Sequence, residues 1–209
     1  MKKRNTVTSV ALLVITGMVM LCGCTAQEPV KTGFLSDYSK LTSVSNTSYR
    51  YIEPQKKIVK YSKFIIDPVI IQSYTGEKTA KLSKEDQDTI TTYMHDAMVK
   101  AIDGRYPVVN QPGPGVARMK VAITDLKKSK IVQNVIPISK IVGTGLGGAS
   151  VEAELVDSVT NEQLAAVVES QVGQRLSLDG YSTWGDAKAI MDRWAQRFRQ
   201  RLDEFHSHK

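Results

Sequence analysis

Gly148-Ala149-Ser150-Val151-Glu152-Ala153-Glu154-Leu155-Val156-Asp157 is the stretch on which the fold turns. Val151, Ala153 and Leu155 fall on one side of a period-2 alternation, and Glu152 and Glu154 fall on the other. That is the pattern of a half-buried β-strand. Thr160-Asn161-Glu162 supplies a turn and Leu164 to Val172 returns as a second strand, so the two form a hairpin. Upstream, Ala117 to Leu126 alternates in part and reads as a third strand, entered from the turn Gln111-Pro112-Gly113-Pro114-Gly115. Lys63 to Ile71 is rich in β-branched and aromatic residues, and its near-continuous apolarity predicts burial on both faces. Pro68 inside it cannot donate to a ladder, so it marks a bulge or an unpaired side. Tyr49 to Ile52 and Tyr106 to Val109 are shorter strand candidates.

Two helices accompany these strands. Ser83 is a good N-cap, with Glu85, Asp86 and Asp88 at the positive helix end. Ile90, Tyr93, Met94, Ala97, Ala101 and Ile102 then form one apolar face that Gly104 terminates. Near the C-terminus, Ala187, Ile190, Met191, Trp194, Ala195, Phe198, Leu202 and Phe205 form a second stripe, with Trp184 and Trp194 read as core. The order strand, helix, several strands, helix predicts an α+β domain: a single mixed β-sheet with two main helices packed on one face. Gly33 to Leu41 holds four large apolar residues and is expected to be a turn of helix packed on that domain.

The first residues predict export. Met1-Lys2-Lys3-Arg4 is cationic, and Val7 to Leu21 is mostly apolar, the layout of a secretory signal. A membrane span is the rival reading, but it needs about 20 apolar residues. Leu21-Cys22-Gly23-Cys24 resembles the lipobox of bacterial lipoproteins, in which a small residue precedes the cysteine to be acylated. Cleavage is thus expected between Gly23 and Cys24, with lipid on Cys24. Ordinary secretion with cleavage near Ala26 is the alternative. Thr25, where an Asp would signal inner-membrane retention, resembles outer-membrane sorting. The expected organisation is a signal peptide over residues 1–23, a lipidated tether over 24–32 and one periplasmic domain over 33–209.

Composition narrows the chemistry. The only cysteines are Cys22 and Cys24, one removed and one acylated, so disulfides, thiol catalysis and cysteine metal sites are excluded. Of 28 basic residues three leave with the signal, and the remaining 25 face 21 acidic ones, a net charge of +4. That balance, with no nucleic-acid motif, excludes nucleic acid as a partner.

The segments Gly33-Phe34-Leu35-Ser36-Asp37-Tyr38, Pro112-Gly113-Pro114-Gly115, Gly148 to Leu155 and Trp184-Gly185-Asp186-Ala187 together resemble one proteobacterial family of lipoproteins, filed as domain of unknown function three-three-one-three. The resemblance spans nearly all of the mature chain. It implies an envelope lipoprotein with no established activity.

Each candidate site also has a plainer reading. Glu152 and Glu154 share a strand face and could serve acid–base chemistry or bind a cation; the plainer reading is a solvated polar face. Asp157 more naturally starts the turn. His95, His206 and His208 are the only histidines, two of them at a terminus expected to fray, and no metal site or cofactor is expected. Gly143, Gly145 and Gly148 match a dinucleotide-loop spacing, but a strand rather than a helix follows. Arg193, Arg197 and Arg201 share one helix face, expected to be solvated. Ile131, Val135, Ile136, Ile138, Ile141 and Leu146 make an apolar stretch over 131–148 that is either an exposed interaction loop or packed core.

The reading that follows is a non-enzymatic binding or assembly module, anchored in the outer membrane through Cys24, facing the periplasm and engaging an envelope protein. The alternatives are an envelope enzyme with a carboxylate-based site at Glu152 and Glu154, and a carrier of a lipid or small apolar ligand. The carrier requires an apolar pocket between helices and sheet.

Overall fold

The computed structural model describes residues 29–72, 82–128, 147–173 and 183–207. Its elements in chain order are β1 (Thr42–Ser45), β2 (Ser48–Ile52), α1 (Gln55–Ile58), β3 (Lys63–Ile66), β4 (Ile70–Ile71), α2 (Lys84–Ile102), β5 (Val116–Lys127), β6 (Gly148–Asp157), β7 (Gln163–Val172) and α3 (Gly185–Ser207). The predicted hairpin is β6–β7, closed by Asn161 in the left-handed region at φ 60°. One seven-stranded sheet results, in the order β1-β2-β7-β6-β5-β3, with β4 also on β5. β3 and β4 run parallel to β5, and the remaining pairs are antiparallel. The chain gets from β4 to the parallel β5 through α2, as parallel pairing demands a long crossover. The fold is the expected α+β class: a mixed sheet with two long helices on one face.

Helix limits follow local chemistry. The Ser83 hydroxyl accepts from Asp86 N–H at 3.1 Å, and Gly104 turns the chain away from the C-terminus of α2 at φ 74°. Ile90, Met94, Met98 and Ile102 of α2 meet Ile190, Met191, Trp194, Ala195 and Leu202 of α3 over Val121, Ile123, Val151 and Leu155 of the sheet. Trp184 and Trp194 are core, as expected, and each indole N–H donates to a carboxylate: Trp184 to Asp86 at 2.9 Å and Trp194 to Glu169 at 3.0 Å.

Several local expectations are corrected. Gly33 to Leu41 packs on the sheet as predicted but forms no helix. It runs as bends and a turn, with Gly33 at φ 88°, because its backbone N–H groups bond to side chains, of the sheet at Ser36 and of the segment itself at Gly33, Leu35 and Ser39, rather than in a helical ladder. Pro68 splits the apolar run into β3 and β4; on either side, Asp67 N–H and Gln72 N–H still donate to β5 carbonyls at 3.0 Å. Ile70 of that run is exposed rather than buried on both faces. Tyr106 to Val109 contributes only an isolated bridge, Val108 to Phe64. β1 and α1 were not anticipated; every residue of β1 is exposed, so no alternation announces it.

Candidate functional site

β6 sits at the middle of the sheet, and its two faces meet different environments. Val151 and Leu155 look towards the helices. Glu152 and Glu154 look the other way, sharing their face with Ala122 and Lys120 of β5, and with Val168 and Ala166 of β7, through the register. The alternation predicts a solvated face there. Instead Glu152 is 0 % and Glu154 2 % exposed. The cover is the chain from Pro29 to Leu41, a strap in which Leu35 packs with Ala166 and Val168 while Phe34, Tyr38 and Leu41 join Tyr49 and Tyr51 around them. Alternation reveals which residues share a face; it does not reveal that a segment more than a hundred residues earlier lies across it.

The strap is pinned to both carboxylates. Thr32 N–H donates to Glu152 Oε1 at 2.6 Å, and the Tyr38 hydroxyl donates to Glu152 Oε2. The same hydroxyl oxygen accepts from Gly33 N–H at 2.9 Å and Leu35 N–H at 3.1 Å, so Tyr38 folds the strap back on itself. Ser36 gives Glu154 Oε2 two bonds, from its N–H at 2.9 Å and its hydroxyl at 2.6 Å. Gln163 Nε2 adds a third to that oxygen at 3.1 Å and also reaches Asp37 O at 3.1 Å. Lys120 Nζ completes the set on Oε1 of Glu154 at 3.2 Å. Burial alone would raise the Glu154 carboxyl, but the bonds from Ser36, Gln163 and Lys120 outweigh it and hold the group below its ordinary value. Burial and then the bond to Glu152 raise the Tyr38 phenol.

This arrangement is a clamp. A general base must reach a substrate proton at about 2.6–3.2 Å, and here that shell is filled by donors of the chain itself. The clamp also explains why two of the segments quoted above belong together. Gly33 to Tyr38 supplies the donors and Gly148 to Leu155 the acceptors of one buried contact. Ser36, Tyr38, Lys120 and Gln163 were not singled out as site residues. Ser36 and Tyr38 lie in one of those two segments, which is their sequence signal; Lys120 and Gln163 lie in neither and have none.

The remaining candidates separate. Asp157 starts the turn as read: Oδ1 accepts from Val159 and Thr160 N–H at 2.8 Å each, and Oδ2 from the Tyr61 hydroxyl at 2.7 Å. The Thr160 amide first, and Tyr61 after it, bring its pKa to about 2 against the cost of burial. The arginine face is not simply solvated. Arg197 bonds the buried Glu169 of β7 at 2.6 Å, and Arg201 pairs with Glu204 at 2.7 Å. His206 does not fray; its ring nitrogens face Leu202 O at 2.7 Å and Tyr61 O at 3.1 Å. Among the described residues no group of three or more His, Cys, Asp or Glu side chains could hold a metal ion. Gly148 opens β6, so the glycine spacing leads into a strand, and the N–H of Gly147 just before it donates to Asp186 Oδ2 at 2.8 Å. Gly23 and Cys24 lie outside the described residues, as do Gly143 and Gly145, His208 and the apolar candidates Ile131, Val135, Ile136, Ile138, Ile141 and Leu146. No helix of the described residues is long and apolar enough to cross a membrane. On the helix side of the sheet, a half-open cleft of about 240 Å³ lies between α3 and strands β2, β7 and β6.

Fold and clamp define an α+β domain whose outer sheet face is closed by its own N-terminal strap. The chain belongs to the family described as Protein of unknown function (DUF3313), whose model matches residues 30–198. A search of curated proteins found no match. Among solved structures it is similar to the PelC dodecamer from Paraburkholderia phytofirmans, with 11% identity and a TM-score of 0.44 over 75% of this chain and 96% of that one. It is also similar to protein XCC0632 from Xanthomonas campestris, with 9% identity and a TM-score of 0.42 over 70% of this chain and 88% of that one. A third is the hypothetical protein CT253 from Chlamydia trachomatis, with 11% identity and a TM-score of 0.40 over 68% of this chain and 98% of that one.

Proposed function

We propose that this protein is a non-enzymatic binding or assembly module of the cell envelope, held to the periplasmic side of the outer membrane by lipid on Cys24. The observation that carries the reading is the strap. Its clamp takes up the carboxylate pair that an enzyme would need, and it builds the chain next to the anchor into the domain. Pro29 is five residues beyond Cys24, and five extended residues reach at most roughly 18 Å. A domain so tethered stays at the membrane surface and turns its strapped sheet face towards the anchor side. The opposite, helix-bearing face is then free for a partner. Edge strand β1 pairs only with β2 among the described residues, which leaves a row of backbone groups for strand addition.

The test has two parts. Cells fed a clickable fatty acid should label the wild-type protein and not Cys24→Ala; labelling of that variant would refute the anchor. In-cell cross-linking of the anchored protein should then recover one recurrent envelope protein that is lost when residues 131–146, which precede β6, are deleted. No recurrent partner in either sample would overturn the assembly role.

A further inference from the structure

The cleft on the helix side has an apolar interior and, around it, charged side chains of both signs. Met94 and Met98 of α2, Met119 of β5, and Trp194 and Phe198 of α3 line its depth. Thioether side chains are flexible and polarizable, so they close around an irregular or mobile chain better than branched ones do. Its volume of about 240 Å³ lies below the roughly 300–1,000 Å³ of drug-sized sites. That suits one unbranched alkyl chain and is too small for a two-chain phospholipid.

Three guanidinium groups, from Arg50 of β2 and Arg197 and Arg201 of α3, stand at the opening with the carboxylates Glu169 and Glu204. The carboxylates are already engaged. Glu169, 5 % exposed, accepts from Arg197 at 2.6 Å and Trp194 at 3.0 Å, and Glu204 is paired with Arg201 at 2.7 Å. Arg50 is half-buried; its backbone carbonyl accepts from the Thr42 hydroxyl at 3.1 Å, and among the described residues its guanidinium makes no hydrogen bond or ion pair. Burial first, then repulsion from Arg201 and Arg197, depresses its pKa, while Glu169 alone opposes. A half-buried guanidinium at the rim of an apolar slot, crowded by two others, is a position that an acid head group would complete.

We propose that this cleft binds a single-chain fatty acid, with its hydrocarbon tail in the slot between α3 and the sheet and its carboxylate on Arg50. Charge complementarity selects the acid over a neutral or cationic amphiphile of the same length, and the guanidinium fork matches a carboxylate in two bonds. The cleft lies on the sheet face opposite the clamp's side chains, sharing with it only the β6 chain at Glu154, and it holds whether or not the envelope-partner reading does.

The experiment uses residues 25–209, which contain every described element, titrated by calorimetry with decanoate, decanol, decylamine and acetate. Decanoate should bind saturably at one site. Decanol should bind at least tenfold more weakly, and decylamine and acetate should not bind. Arg50→Met, which keeps an apolar stem, should weaken decanoate at least tenfold and leave decanol unchanged. Filling the slot by Ala153→Leu or Ala165→Phe should abolish binding of both, with thermal melts showing which variant remains folded. Three results would overturn the proposal: no saturable decanoate binding at millimolar concentration, decanol or decylamine binding as tightly as decanoate, or an undiminished decanoate affinity in Arg50→Met.

Discussion

Replacing Glu154 by glutamine tests the clamp with the least change of shape. Oε2 of Glu154 accepts three bonds, from Ser36 N–H, the Ser36 hydroxyl and Gln163 Nε2, while Oε1 accepts one from Lys120. Glutamine has one oxygen and one NH₂ group. If the NH₂ takes the Oε2 position it confronts three donors; if it takes the Oε1 position it confronts the Lys120 ammonium. The first orientation leaves buried donors facing a donor, the second sets the NH₂ against a partly exposed ammonium, and in both the charge that strengthened every bond is gone. Bonds to a charged acceptor contribute about 1.5–3 kcal/mol each, and breaking a buried charged network by removing one member costs more than one of them. The Ser36 hydroxyl can rotate to accept from the new NH₂, which recovers part. The expected loss is about 2–4 kcal/mol in urea unfolding at neutral pH. Ser36→Ala, which keeps the backbone donor, should cost about 1 kcal/mol, and the double variant should fall short of the sum by about that amount because both act on one oxygen. Hydrogen exchange at Thr32, Gly33, Leu35 and Ser36 should accelerate more than at β6. A Glu154→Gln protein within about 0.5 kcal/mol of wild type, with strap amides still protected, would refute the clamp.

Acid should loosen the fold in a definite window. Glu154 and Glu169 sit below their ordinary carboxylate values, so the unfolded chain takes up more protons than the folded one as the pH falls. Their stabilisation is complete above the unfolded value of about 4.3 and is lost as the pH drops through the folded values; Asp157 follows on approach to its pKa of about 2. Urea midpoints measured from pH 7 downwards should be level to about pH 5 and then decline; a midpoint that rises on acidification would contradict this. Gly173→Ala should be destabilised by about 1–3 kcal/mol, because a Cβ there would lie 2.4 Å from the Asp186 carboxyl carbon, whereas Gly113→Ala, with nothing within 4 Å, should melt like wild type. Arg197→Met strips the ion pair from the buried Glu169 and should cost about 1–2 kcal/mol, read as a lower melting temperature; an unchanged melt would mean that Trp194 and Gln171 suffice to hold that carboxylate.

Local chemistry alone determined much of this protein. Alternation over Gly148 to Asp157 and its return after Asn161 placed the central hairpin, because strand periodicity and turn residues are properties of consecutive residues. Ser83 and Gly104 bounded α2 for the same reason, and Pro68 marked the break between β3 and β4. Two helical stripes following a strand-rich pattern were enough for the α+β class. What depends on residues far apart in the chain was decided only by the tertiary structure. β1 has no apolar face, so nothing local marked it; it exists because β2 offers it an edge. Glu152 and Glu154 were legible as a pair but not as buried, since their burial comes from Thr32, Ser36 and Tyr38, 114–120 residues away. The same holds for the cleft. Arg197 and Arg201 were visible as one helix face, but Arg50 joins them only because β2 docks against β7 beneath α3. A sequence states which side chains share a face, and only the packed chain decides what lies opposite.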